Sequence, residues 1–73
     1  MDEKILGIMR RLFQNDSIGT TCSQSNCDLW DSLHHLNLIV ELEDAFDTEF
    51  EPEEIAEMKS FTKVREIILA KQQ

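Results

Sequence analysis

Two cysteines, an Asp-Ser pair and two histidines are crowded into one stretch of this 73-residue chain, in the order Cys22, Cys27, Asp31, Ser32, His34 and His35. Cys and His are the ligand types of zinc. The spacing is wrong for it, because C-x4-C followed by adjacent histidines asks two neighbours about 100° apart on a helix to converge on one ion. Ser32 and His35 are three apart and can touch on a helix. As a hydrolytic pair they lack an orienting acid and a second oxyanion donor, and a convex helix tip cannot exclude water. Asp44, Asp47, Glu49 and Glu51 offer calcium-type oxygens but have neither the D-x-D-x-D-G spacing nor its turn glycine. Weak divalent binding that screens their repulsion is expected there, and a sensor is not. What remains is Ser32 itself: with Asp31 as N-cap, it stands at a helix tip where a phosphate ester would meet free backbone N–H groups and the positive end of the dipole.

The elements that must position these residues read as helices. Over Asp2 to about Gln14, Ile5, Ile8, Met9, Leu12 and Phe13 repeat at helical spacing, with Asp2 and Glu3 in the first turn and Arg10 and Arg11 near the end. Residues 15–30, NDSIGTTCSQSNCDLW, are rich in turn formers and predict a long loop with a short helical turn, anchored to the core by Ile18, Leu29 and Trp30. Ser32 to about Asp47 is the second helix. Pro52 fits a first-turn position, so PEEIAEM predicts a short third helix with Ile55 and Met58 inward. Ser60 caps a last helix in which Phe61, Val64, Ile67 and Ile68 recur at the same spacing. No β alternation, repeat or linker is present, and residues 1–73 are expected to form a single all-α domain, a small four-helix bundle with three longer helices and one short one.

The second helix is apolar on two sides. Taking Leu33 as zero and about 100° per residue, Leu38, Ile39, Leu42, Ala45 and Phe46 fall between roughly 120° and 240°. They form the expected core face. Leu33, Leu36 and Val40 fall on the opposite side, together with Glu43, Asp44 and Asp47. An apolar strip rimmed by carboxylates suits a basic, partly hydrophobic protein partner.

Charge distribution agrees. The net charge is −8, yet all seven Lys and Arg lie outside residues 12–58, so that stretch carries −12 and the two ends together +4. Such a field repels nucleic-acid phosphates and anionic lipid. No apolar run approaches the roughly 18 residues of a membrane span, and the start MDEKILGIMRR lacks a secretory layout. The expectation is a cytoplasmic monomer with reduced thiols and no nucleic-acid partner. A chain this short buries only about 60% of its unfolded surface, which leaves no room for a deep enzymatic cleft.

Asp31-Ser32-Leu33 alone is an ordinary capping signature. In its setting, WDSLHHLNLIVELEDAFDTEFEPEEIAEM followed by SFTKVREII resembles the acyl and peptidyl carrier proteins, along essentially the whole chain and most strongly from Asp31 to Ile68. The resemblance implies a free-standing, non-enzymatic carrier. In such a protein Ser32 takes 4′-phosphopantetheine from coenzyme A through a Mg²⁺-dependent phosphopantetheinyl transferase, and the arm holds an acyl or aminoacyl group as a thioester. It also implies that Leu33, Leu36, Val40, Glu43 and Asp44 face partners; Asp47, on the same side of the helix, is expected to join them, and Asp31 to cap the helix beside the arm. Those partners would be acyl- or aminoacyl-activating and condensing or transferring enzymes with basic docking surfaces.

The chain departs from that family's usual pattern. Leu29, Trp30 and Asp31 precede Ser32 where a glycine often precedes the Asp-Ser-Leu, and His34, His35 and Asn37 follow where an acid is common. The less acidic first turn fits a dedicated pathway (surface polysaccharide, secondary metabolite, aminoacyl transfer) as well as bulk fatty-acid synthesis. The alternative is an unmodified acidic interaction module of the same fold.

Overall fold

The computed structural model describes residues 2–72. Four helices follow one another, α1 (Asp2–Phe13), α2 (Ser32–Phe46), α3 (Pro52–Glu57) and α4 (Phe61–Lys71). Among the described residues there is no strand, only an isolated bridge between Ser23 and Ser60. The all-α, four-helix class expected from the sequence is therefore the class observed.

Each helix starts and stops where its terminal chemistry dictates. α1 carries Asp2 and Glu3 against its positive end and Arg10 and Arg11 against its negative end. It stops at Phe13, one residue before the expected Gln14, because Gln14 turns left-handed at φ 52° and the Asn15 N–H reaches back to the Arg10 carbonyl at 3.1 Å. α2 ends the same way. Asp47 is left-handed at φ 51° and donates its N–H to the Glu43 carbonyl. In α3 Pro52 opens the first turn, the Glu54 carboxylate accepts from the Glu51 N–H at 2.7 Å, and Met58 falls just outside as C-cap. The Ser60 hydroxyl accepts from the Lys63 N–H at 3.2 Å to start α4.

The core is one cluster. α1 contributes Ile5, Leu6, Ile8, Met9 and Phe13; α2 contributes Leu38, Ile39 and Leu42; α4 contributes Phe61, Val64 and Ile68; Met58 and Phe50 close it from the connections. Ala45, Phe46, Ile55, Ile67 and Leu12 pack against its edge. α1 buries a wider arc than its periodic stripe because it packs against both α2 and α4. Leu6, outside the stripe, is consequently buried.

The long loop corrects one expectation. Ile18 and Trp30 anchor it as predicted, whereas Leu29 is exposed and Cys22 is buried instead. The reason is how the loop is tethered: the Phe61 N–H donates to the Cys22 carbonyl at 2.8 Å and the Gln24 N–H to the Lys59 carbonyl at 2.9 Å. This seats Cys22 beside the start of α4. Arg10 donates Nε to the Ile18 carbonyl at 2.8 Å and fixes the other end of the loop to α1.

Candidate modification site and docking face

Ser32 is the first residue of α2 and is exposed. Asp31 caps the helix in extended conformation, at φ −94° and ψ −174°. Its Oδ1 accepts from the His34 N–H at 2.9 Å and from the His34 ring Nδ1 at 2.8 Å. These contacts, the backbone one foremost, hold the Asp31 carboxyl below the usual carboxylate range. Because Asp31 supplies the cap, the Ser32 hydroxyl is not needed for it. There is no acid within the first turn of α2. An exposed hydroxyl at the positive end of a 15-residue helix is a chemically suitable seat for a phosphodiester, so the residues present fit a phosphopantetheine arm.

Beneath the tip lies a polar strut whose role the sequence left unassigned. Trp30 Nε1 lies 3.0 Å from His35 Nδ1, and His35 Nε2 lies 2.8 Å from the Ile55 carbonyl oxygen. An indole nitrogen can only donate. His35 therefore accepts at Nδ1, carries its proton on Nε2 and donates it to Ile55, which joins the end of the loop to α2 and α3. Trp30 also packs on Phe13, with ring centroids 5.4 Å apart, and the Phe13 ring meets the His34 ring at 6.1 Å. Beside Ser32 is an open depression of about 530 Å³ lined by Gln24, Trp30, Asp31, Ser32, His35 and Leu36.

The expected outward strip of α2 is exposed. Leu33 is 65%, Leu36 58% and Val40 61% accessible, and Leu29 is the one other large apolar side chain so exposed among the described residues. Asp44 and Asp47 are exposed at the far end of the helix. Glu43 differs from its expected neighbours: it is half-buried, and its Oε2 accepts from the Phe50 N–H at 3.0 Å, tying the α2–α3 connection to the helix. On the adjacent flank, Glu41 is bound by Arg11.

The other candidate chemistries do not assemble. Among the described residues no three His, Cys, Asp or Glu side chains gather where they could hold a metal ion. His34 is bound to Asp31, both ring nitrogens of His35 are occupied, and Cys22 and Cys27 line a separate cavity within the loop. Ser32 and His35 therefore form no hydrolytic pair. Among the described residues no helix is long and apolar enough to cross a membrane.

No family model matches the chain. No curated protein matches it either. Among solved structures, 15 chains match. One of these, a candidate acyl carrier protein from Mycobacterium tuberculosis, superimposes with a TM-score of 0.85 at 26% sequence identity, covering 94% of this chain and 95% of that one. The architecture described above, four helices and no strand among the described residues, is that of an acyl carrier protein fold.

Proposed function

We propose that residues 1–73 form a single-domain acyl or aminoacyl carrier that catalyses nothing alone and presents cargo to partner enzymes. The observation that carries the reading is the position of Ser32: an exposed hydroxyl at the tip of the helix whose outward face is an exposed apolar strip, in a chain with the fold of a candidate acyl carrier protein. Ser32 is the attachment point of 4′-phosphopantetheine, transferred from coenzyme A by a phosphopantetheinyl transferase. When bound, that arm supplies a thiol that carries an acyl group as a thioester. Asp31 fixes the start of α2 and so the direction in which the Ser32 hydroxyl is offered. Leu33, Leu36 and Val40 dock the partner's apolar surface, and Asp44 and Asp47 meet its cations. Glu43 contributes through one carboxylate oxygen while the other holds the Phe50 N–H.

The experiment is an intact-mass measurement after incubation with coenzyme A, Mg²⁺ and a broad-specificity phosphopantetheinyl transferase. Wild type gains one phosphopantetheine and Ser32→Ala gains none. A folded wild-type protein that no such transferase modifies would instead be an unmodified interaction module, docking through the same acidic strip.

A further inference from the structure

The two cysteines, which the carrier reading leaves unused, are brought together by a tightly built turn. The Asn26 and Cys27 N–H groups both reach the Ser23 carbonyl, at 3.2 and 3.0 Å. Asn26 reinforces the reversal from its side chain, accepting from the Ser23 N–H at 2.9 Å and donating to the Thr21 carbonyl at 2.9 Å. The chain therefore doubles back between Cys22 and Cys27. Both line the same cavity of about 140 Å³, and the Cys27 thiol is near enough to disfavour the Cys22 thiolate. They are unequal: Cys22 is buried and Cys27 half-buried.

We infer that Cys22 and Cys27 are a modification site, a thiol pair that a low-molecular-weight disulfide such as oxidised glutathione converts into an intramolecular disulfide. Access assigns the roles. Burial, then the neighbouring Cys27 thiol, pushes the Cys22 thiol up to about 12, so the accessible Cys27 reacts first. The Cys27 thiolate attacks one sulfur of glutathione disulfide, which forms a mixed disulfide and releases one glutathione thiolate. Cys22 passes its proton to solvent and attacks the Cys27 sulfur, expelling the second glutathione. Two protein thiols are oxidised, one glutathione disulfide is reduced to two glutathiones, and no further reactant is required.

The position of the pair gives the cross-link a reach beyond its own turn. The Cys22 carbonyl accepts from Phe61 at the start of α4, and the Cys27 carbonyl accepts from the Trp30 N–H at 3.0 Å. Trp30 lines the depression beside Ser32. Oxidation therefore ties the start of α4 to the residue beneath the proposed attachment site.

The test incubates folded full-length protein free of phosphopantetheine, whose own thiol would otherwise react, with oxidised glutathione, blocks free thiols with maleimide and reads intact mass. Wild type is expected to lose two hydrogens, to take up no maleimide and to retain no glutathione. Cys22→Ser is expected to stop with one glutathione on Cys27, and Cys27→Ser to remain unmodified under the same conditions. A wild-type protein that keeps a glutathione, cross-links into dimers or still takes two maleimides overturns the inference. The wild-type result decides it even if a serine variant does not fold.

Discussion

Asp31 and Ser32 divide the labour at the helix tip, one residue capping and the other left exposed. The cap has a pH signature. The Asp31 carboxyl is held below its ordinary value by the His34 backbone N–H and then by the His34 ring. Its stabilisation is therefore fully present above the unfolded-state value and is lost as the pH falls through the folded-state value. Thermal melts from neutral to acid pH should show Asp31→Ala less stable than wild type at pH 7, with the gap closing below the carboxylate range. A gap independent of pH would mean that the charge is not what caps α2. Removing the His35 ring tests the strut differently. His35→Ala leaves the buried Trp30 N–H without its acceptor, a loss of about 1–3 kcal/mol, readable in denaturant unfolding, and should change the emission of the only tryptophan in the chain. Asp31 and Ser32 could be picked out from sequence because capping is local. The strut could not, because one of its acceptors is a backbone carbonyl 20 residues away and no spacing rule encodes that.

At the scale of the elements, α2 buries one face and exposes an apolar strip on the other, and substitutions should separate packing from the proposed docking. Leu42 is fully buried, so Leu42→Ala should destabilise the protein by about 2–5 kcal/mol. Val40 is 61% exposed on the opposite face, so Val40→Arg should leave stability within about 0.5 kcal/mol. It should also lower transfer by a phosphopantetheinyl transferase by roughly tenfold, the effect of about 1.4 kcal/mol of lost complementarity. Unchanged transfer in a Val40→Arg protein of unchanged stability would remove Val40 from the docking face. The four helices and this division were legible because periodicity and caps are written along each helix. The loop was less so. Leu29 looks like an anchor by hydrophobicity, but the backbone bonds from Phe61 and Gln24 decide which side chain turns inward, and they select Cys22. Leu6 is buried because two helices flank α1, which a single-helix stripe cannot reveal.

The molecule as a whole carries its acids between its basic ends, −12 over residues 12–58 within a net −8. Few of those acids are neutralised internally: Glu41 by Arg11 and Glu54 by Lys71 at 2.9 Å are the ion pairs that reach this stretch among the described residues, apart from the His34 contact of Asp31. Two salt effects of opposite sign follow. Raising ionic strength from about 0.1 to about 1 M shortens the screening length from about 10 to about 3 Å. The melting midpoint should then rise as self-repulsion is relieved, while association with a basic partner, followed by stopped flow, should slow. A midpoint that falls with salt would mean that the ion pairs outweigh the repulsion. The central claim remains the chemistry at one hydroxyl, and the measurement that tests it most directly is fragmentation of the peptide spanning Ser32 from protein treated with coenzyme A, Mg²⁺ and transferase. The account predicts phosphopantetheine on Ser32 and nowhere else. An adduct on Ser17, Ser23, Ser25 or Ser60, or an unmodified Ser32 in folded protein, would contradict it.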